Sequence, residues 1–410
     1  MPDNKLQTTL SAEIEALEQD GRAKGLETVF SGIVPAGAGK GPRYLLRGEG
    51  QRPYLRMNSN SYLGMTLRPE VIAAEEEAVR AFGTGPGAVR FISGTWQSHV
   101  ELEGKLAAFH QRQAAMIYSS AYSAIMGVLT PLITAETAVI SDALNHNSII
   151  NAVRLARPRE KHVYAHLDMA ELESCLQKAS GHCRRAIILT DGIFSMRGDH
   201  APLDQIMSLA RRYDDAFAEN VVVVADDSHG VGAFGETGRG TEQYTASEPV
   251  DLLIATLGKA FGVNGGYVVA AEPIIRYLRE TSPMYIYSNP ITPSEAAAAC
   301  AALDLVDGPE GGRLLAHLRA MTERFEQGLT GLGFETIAGA HPVVPLMVRD
   351  TAQTAALVRH LRAGGVLATG LNYPVVPKGD EEIRFQVSAD HTSADIDEAL
   401  DVLAAFQRAP

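Results

Sequence analysis

From about residue 55 to residue 295, short apolar runs alternate with amphipathic segments. This is the pattern of strands separated by helices in a doubly wound α/β domain. The runs predict strands over Ala115–Tyr118, Thr137–Ser141, Arg185–Thr190, Val221–Asp226, Leu252–Thr256 and Gly266–Ala270. Several are continuous and β-branched, as parallel strands buried on both faces require. Ala121 to Ile140, interrupted by Thr130, Pro131 and Glu136, reads as a buried helix plus a turn. Upstream, residues 1 to about 30 read as an acidic amphipathic helix with Leu6, Leu10, Ile14 and Leu17 on one face, followed by a Gly/Pro-rich connector, GIVPAGAGKGPRYLL. From about residue 296 the pattern changes. An Ala-rich helix, SEAAAACAALDLV, leads to strands around Val343–Val348, Gly365–Thr369 and Glu382–Ser388. The expected organisation is an N-terminal helix and arm (1–54), a large, mostly parallel α/β domain (55–295) and a smaller C-terminal α+β domain (296–410).

Composition narrows the function classes. The 410 residues are 46% hydrophobic and 21% charged, as in an ordinary globular protein, and 410 residues can bury a large core. The net charge of −13 is spread along the chain, which argues against nucleic acid or an anionic membrane as the main partner. No apolar stretch reaches the roughly 20 residues needed to span a bilayer. No basic region followed by an apolar run marks a signal peptide, so a cytoplasmic protein is expected. Cys175, Cys183 and Cys300 suit a reducing compartment and fit neither a disulfide framework nor a zinc site.

Polar or glycine residues follow each apolar run: Ser119-Ser120, Asp142, Asp191-Gly192, Asp226-Asp227 and Leu257-Gly258-Lys259. In open α/β sheets ligands bind outside the carboxyl ends of the strands, so these residues are expected to converge. The ordinary reading of a lysine is a solvated surface charge. Lys259 instead follows a buried strand and sits among Gly258, Ala260 and Gly262. A desolvated lysine has a depressed pKa and forms a Schiff base with a carbonyl cofactor. Asp226 ends the run VVVVA and alone would read as a helix cap. With His229 three residues on, it reads as the acid that keeps a pyridine nitrogen protonated. Together these residues point to a pyridoxal 5′-phosphate (PLP) site. Asp227 is set aside, because adjacent side chains in an extended segment point to opposite faces. His146, in a turn rich in Asn and Ser, is a candidate to stack on the ring. Ser119-Ser120-Ala121-Tyr122 opens a helix whose backbone N–H groups form a phosphate cradle, with a plain serine cap as the simpler reading. Thr256 can place a hydroxyl on the same phosphate. The Gly83–Gly87 cluster lacks the spacing of a dinucleotide fingerprint and reads as a mobile loop near the substrate. Arg384, on a predicted strand, suits a substrate carboxylate. His162 and His166 stand four apart with no third ligand nearby, so no metal is expected. No nucleophile-elbow sequence of a serine hydrolase occurs.

The segments NSNSYLG, VRFISGTWQSH, SDALNHNSII, TDGIFSMRG, ADDSHGVGAFGETGRG, TLGKAFGVNGG and TGLNYPVVPKGDEEIRFQVSADHT, in this order, resemble the α-oxoamine synthases, a branch of the fold-type-I PLP-dependent transferases. The resemblance runs from about Met57 to Thr392, and YPVVPKG tilts it to the glycine C-acetyltransferase (2-amino-3-ketobutyrate CoA ligase) group. It implies an aspartate-aminotransferase-like fold and condensation of a small amino acid, glycine first, with an acyl-CoA, acetyl-CoA first. It also implies roles. Lys259 would carry the cofactor and shuttle the Cα proton, Asp226 would pair with the pyridine nitrogen, and His146 would stack on the ring. His229 and Ser195 would contact the ring hydroxyl. Ala121, Tyr122 and Thr256 would hold the phosphate, and Ser288 would reach the phosphate of the other subunit of a homodimer. Asn60 and Arg384 would grip the amino-acid carboxylate. The chain departs from the usual pattern at YSAIMG after the phosphate loop, at TSPMYIYSNP and at GLNYP. Those changes leave open another acyl donor or amino acid, as in 8-amino-7-oxononanoate synthase, serine palmitoyltransferase or 5-aminolevulinate synthase.

Overall fold

The computed structural model describes residues 4–407 apart from 21, 24 and 374. Pro374, within the YPVVPKG segment, therefore lies outside the described residues. The chain divides into two compact units. Unit 1 joins residues 1–59, 321–338 and 343–410; unit 2 joins residues 60–320 and 339–342.

Unit 1 begins with helix α1 (Lys5–Gln19), capped by the Asn4 side chain accepting from Leu6 N–H. The helix is shorter than the 30 residues expected, and its apolar stripe is exposed, with Leu6 at 64% and Ile14 at 55%. The expected connector is not plain coil. It contains β1 (Phe30–Val34) and β2 (Arg43–Leu46), which pair antiparallel and continue to β3 (Pro53–Arg56). The glycines and prolines form the turn between strands rather than a linker.

In unit 2, α2 (Pro69–Phe82), α3 (Arg90–Ser93) and α4 (Gln97–Phe109) lead into β4 (Ala114–Tyr118) and α5 (Ala121–Leu132). Then come β5 (Thr137–Asp142), α6 (Asn147–Ala156), β6 (Glu160–Tyr164), α7 (Met169–Ala179), β7 (Arg185–Asp191) and α8 (Leu203–Tyr213). Next are β8 (Val221–Asp226), α9 (Thr241–Thr245), β9 (Leu252–Thr256) and β10 (Gly266–Ala270). The helices α10 (Glu272–Thr281), α11 (Pro283–Ile286) and α12 (Pro293–Asp307) complete it, with the first half of α13 (Pro309–Gly331). The seven strands form one sheet in the order β4-β10-β9-β8-β7-β5-β6. β6 was not expected; its half-exposed pattern makes it an edge strand without a strong apolar run.

The sheet is mostly parallel, as expected, with one reversed strand. β10 runs antiparallel to both β4 and β9, and the other pairings around β5, β7, β8 and β9 are parallel. An all-buried run such as GYVVA carries no directional signal. The reversal brings the amino end of β10 to the edge where β4 and β9 end: Gly266 faces both Tyr118 and Thr256. The core under the sheet is apolar, with Ile125, Val128, Val139, Ile187, Val224, Ile254 and Val268 essentially buried. The boundary expected at residue 295 also shifts. α12 packs on α2 and α4 and so belongs to unit 2. Its start is fixed by a Thr292/Glu295 capping box with Pro293 in the first turn.

Unit 1 closes with β11 (Glu335–Thr336), β12 (Val343–Met347), α14 (Thr351–Ala363), β13 (Val366–Leu367), β14 (Thr369–Leu371), β15 (Glu382–Gln386) and α15 (Ser393–Gln407). β13 joins β3 in parallel, and β11-β12-β15-β14 form a second small sheet. A buried ion pair ties the N-terminal segment to α15. Arg43 Nη2 donates to Asp395 Oδ1 at 2.5 Å, and Gly41 N donates to Asp395 Oδ2 at 2.8 Å.

Candidate active site

The strand ends of unit 2 supply the chemistry. Asp191 and Asp226 are register partners at the carboxyl ends of β7 and β8. Asp226 is buried, and its Oδ1 accepts from Ser228 N at 3.1 Å. Asp227 turns the other way, as the alternation of a strand requires. Its oxygens accept from Thr241 N at 2.6 Å and Thr241 Oγ1 at 2.7 Å. Gly192, Gly230 and Gly240 crowd this carboxylate so closely that a Cβ at any of the three would overlap it. Burial pushes Asp227 up to about 7 despite the Thr241 donors. Asp227 is thus a packed structural acid.

Lys259 lies half-buried in the turn after β9. Its carbonyl accepts from Gly262 N at 3.1 Å, and Gly262 has φ +69° against the backbone of Thr66. A side chain at 262 would meet Thr66 N at 2.6 Å, so this turn needs glycine. Thr256 Oγ1 donates to Gly265 O at 3.0 Å and accepts from Gly258 N at 3.1 Å. The lysine turn is therefore pinned from both sides.

His146 caps α6 and holds Ser148: its Nδ1 lies 2.7 Å from Ser148 Oγ and accepts from Ser148 N at 3.3 Å. Burial pushes its pKa below the ordinary range; the negative charge of Asp226 opposes this and the positive charge of Lys259 adds to it. Burial likewise raises the Asp191 carboxyl well above its ordinary range, with the charge of Asp226 adding and that of Lys259 opposing. His146, Asp191, Asp226 and Lys259 therefore feel one another's charges. Asp191 was not singled out from the sequence as a site residue, although it ends its strand as Asp226 does. His146 N donates to Asp191 Oδ1 at 3.4 Å.

His229 is buried, with the Tyr62 hydroxyl 2.6 Å from its Nδ1, and its carbonyl accepts from His341 Nε2 at 2.8 Å. Tyr62 and His341 are further residues that the sequence reading missed. Tyr62 also donates to Asn60 Oδ1 at 3.3 Å, which ties the expected substrate residue to the same group. Ser195 lies half-buried in the turn after β7, and Ser288 half-buried after α11 beside Tyr287, which is 82% exposed.

Helix α5 starts at the same sheet edge. Ser120 is its N-cap, accepting from Ser123 N at 3.1 Å, so the simple capping reading of this serine holds. The N–H groups of Ala121 and Tyr122 lie in the first turn, where a helix has no acceptors of its own. The Tyr122 ring meets His146 edge-on at 6.5 Å, which places this helix end beside the imidazole. The Gly83–Gly87 segment simply joins α2 to α3, with positive φ at Gly83 and Gly87. His162 and His166 do not share a site. His162 lies on β6, and His166 lies in the turn that follows it. His162 pairs with Glu160 and His166 with Asp142 and Asp199. Among the described residues no His/Cys/Asp/Glu group is arranged to hold a metal ion. In unit 1, Arg384 stands on β15 with Thr369 and Pro345 as its cross-strand partners.

The pattern of the aminotransferase class I and II family matches residues 52–403. The chain belongs to that family. Within it the chain is an α-oxoamine synthase-type enzyme, similar to the human mitochondrial 2-amino-3-ketobutyrate coenzyme A ligase, with 39% identity over 93% of this chain and 91% of that protein. The enzyme of the same name from Escherichia coli (strain K12) is 42% identical over 84% of this chain and 85% of its own length. The 8-amino-7-oxononanoate synthase of Bacillus pumilus is 38% identical over 97% of this chain and 96% of its own. A solved structure of SPT with PLP internal aldimine matches with TM-score 0.86 and 26% identity, covering 99% of this chain and 98% of that one. The fold is that of the fold-type-I PLP transferases.

The cofactor of this family is PLP, and the residues present fit it. A buried carboxylate ends β8, a lysine sits in a pinned turn, and an imidazole lies within electrostatic reach of both. The α5 helix start offers N–H groups to an anion. Gly266 is the fitted piece: its Cβ would lie 2.5 Å from Ala121 Cα and nearer still to Ala121 N, so glycine alone lets β10 approach this helix end. Among the described residues no helix is long and apolar enough to cross a membrane.

Proposed function

We propose that this chain condenses a small amino acid, glycine first, with an acyl-CoA, acetyl-CoA first. CoA is released, and the product is an α-amino-β-ketoacid, or an aminoketone after loss of CO₂. The observation that carries this reading is the shared charge environment of Asp226, His146 and Lys259 at the strand ends. Bound there, PLP supplies an aldehyde that condenses with amines and a pyridinium ring that accepts the electron pair left at Cα. Asp226 would hold the ring nitrogen protonated. His146 would cover one ring face, and His229, steadied by Tyr62 and His341, would face the ring hydroxyl with Ser195. Ala121 and Tyr122 would hold the phosphate through their backbone N–H groups, and Thr256 would join them by turning its hydroxyl from Gly265 O. Lys259 Nζ would take the Cα proton. The Cα–acyl bond then forms, the thioester C–S bond breaks, and CoA leaves as the thiol. Asn60 and Arg384 are assigned to the substrate carboxylate on the family resemblance.

The same resemblance supports a cytoplasmic homodimer in which Ser288 serves the partner's site. Exposed apolar side chains at Phe91 (62%), Ile92 (69%) and Tyr287 (82%) suit such an interface. Sedimentation at micromolar concentration tests the dimer. The activity is tested by release of CoA thiol from acetyl-CoA by the PLP-loaded protein. Release that depends on glycine supports the reading; release without glycine, or none with any small amino acid and acyl-CoA, overturns it. A second reading keeps the reaction and changes the acyl donor. It is favoured by similarity to the 8-amino-7-oxononanoate synthase over 97% of the chain, nearly as strong as that to the ligases.

A further inference from the structure

A cavity of about 600 Å³ lies within unit 1, bordered by β3, β13, β14 and α14. That volume suits a small molecule. Its polar lining includes Arg56, Arg362, Asn58, Asn372 and the threonines Thr28, Thr354 and Thr369, and among the described residues no aspartate or glutamate lines it. A cationic cavity free of acids stands out in a chain of net charge −13. The two arginines differ. Arg362 is already answered, its Nη2 donating to Glu49 Oε1 at 2.6 Å. Arg56 forms no side-chain hydrogen bond or ion pair with any described residue, and its Nε is buried without a partner.

Arg56 is nevertheless held in place. Its guanidinium carbon lies 4.8 Å from the Phe30 ring centre and 5.0 Å from that of Tyr44. Two aromatic faces fix the cation without neutralising it, so its charge is left for another group. Asn58 Oδ1 and Asn372 Oδ1 are also buried without partners on the same wall, while Asn58 Nδ2 donates to Thr369 Oγ1 at 3.3 Å. Buried polar atoms normally find hydrogen bonds: the Arg56 guanidinium is the unanswered donor that an anionic group completes, and the two amide oxygens are acceptors that take a hydroxyl or N–H from the rest of the same occupant.

We propose that this cavity binds an oxyanion: the carboxylate or phosphate end of a small molecule seated on the Nη donors of Arg56. A guanidinium pairs with both groups through two parallel hydrogen bonds. The hydroxyls of Thr28 and Thr369 supply neutral donors beside it. Thr369 is the cross-strand partner of Arg384, so the site shares its strand pair with the residue assigned to the amino-acid carboxylate. The oxyanion has two sources, an acid-terminated organic molecule or the 3′-phosphate of a CoA thioester. The proposal does not rest on the catalytic reading, because binding is measured without turnover.

Calorimetric titration of the PLP-loaded protein with succinate, CoA and dephospho-CoA tests it, in wild type and Arg56→Met. Expected is binding of succinate, or of CoA in preference to dephospho-CoA, weakened about tenfold or more by Arg56→Met and weakened by salt. Succinate identifies the carboxylate source and the CoA preference identifies the phosphate. Should Arg56→Met not fold, Arg56→Lys and Thr369→Val decide the question in the same way, each expected to weaken the same probe. Affinities that ignore these substitutions, or no binding of any probe, overturn the proposal. So does loss of self-association in Arg56→Met without any anion binding, which would assign the arginine to a second copy.

Discussion

Replacing Gly266 by alanine drives a methyl group into backbone rather than into a flexible side chain. The new Cβ would lie 2.5 Å from Ala121 Cα, whereas ordinary carbon contacts begin near about 3.5 Å. About 1 Å must therefore open between β10 and the start of α5. β10 is held on both sides, Gly266 facing Tyr118 and Thr256, so α5 is the element that gives way. Overpacking of this kind costs about 1–3 kcal/mol of stability. The second effect is more specific. The displaced N–H groups of Ala121 and Tyr122 are those assigned to the cofactor phosphate. A hydrogen bond to a charged group contributes about 1.5–3 kcal/mol, so each one lost weakens PLP about 10- to 150-fold. The assay titrates apo protein with PLP and follows the visible absorbance of the lysine Schiff base, alongside thermal unfolding of the apo form. Gly104→Ala serves as the control. Gly104 is exposed within α4 and a Cβ there meets nothing within 4 Å, so it should gain about 0.5–1 kcal/mol with PLP affinity unchanged. A Gly266→Ala protein with wild-type apo stability and wild-type PLP affinity would refute both the close approach and the phosphate assignment.

Lys259→Ala should abolish turnover and the Schiff-base absorbance while the protein remains folded; substantial residual activity would sink the mechanism. Glu103→Ala should destabilise by about 3–5 kcal/mol in urea unfolding. Buried Glu103 accepts from Arg90 Nη1 at 2.6 Å, from Arg279 Nη2 at 2.9 Å and from Ile117 N at 3.1 Å, so its loss strands two cations. A loss under 1 kcal/mol would contradict that account. His166 lies between Asp142 Oδ1 at 3.0 Å and Asp199 Oδ2 at 3.2 Å, against the Phe194 ring, with Arg197 also on Asp199. Burial disfavours its charge, but the two carboxylates prevail and push it up to about 9. A raised folded-state pKa gives stability that is full below the ordinary value of about 6.5 and lost as pH rises to about 9. Wild-type unfolding free energy should therefore fall across that window, and His166→Gln should flatten the fall; parallel pH curves for the two proteins would count against the charged clasp.

Much of the large unit was legible because its strands are buried on both faces. A continuous run such as VVVVAD must be a strand, and β8 and β9 have the bounds read from the sequence. Direction was not legible: GYVVA reads the same either way, and β10 is reversed by pairing with β4 and β9 rather than by its own residues. The N-terminal strands were hidden by their glycines and prolines, whose turn signal outweighs a four-residue run such as RYLL. The positions of the candidate residues were legible where a special residue ended or followed a strand, as with Asp226 at the end of β8 and Lys259 after β9. Tyr62 and His341 escaped as site residues because nothing local links either of them to His229, although Tyr62 lies in the NSNSYLG segment. They reach His229 from 167 and 112 residues away, and only the fold creates that pairing.

The arrangement of acids along the strand ends supports the assignment of Asp226, rather than its neighbours, to the cofactor nitrogen. Asp227 spends both oxygens on Thr241 and sits where three glycines leave no room for a ligand. Asp191 is next to Asp226 in register, and burial beside that charge favours its neutral form. Two carboxylates so close do not both ionise readily, so a neutral Asp191 is consistent with the proposal that Asp226 alone serves the cofactor nitrogen. Burial holds the His146 imidazole towards its neutral form, with the charge of Asp226 opposing and that of Lys259 adding. A neutral ring can lie flat on a cationic pyridinium without repelling it, whereas an imidazolium could not. The strand end thus divides the two successive aspartates: Asp227, just past β8, is packed against Thr241 and three glycines, and Asp226, its last residue, is the one assigned to the cofactor.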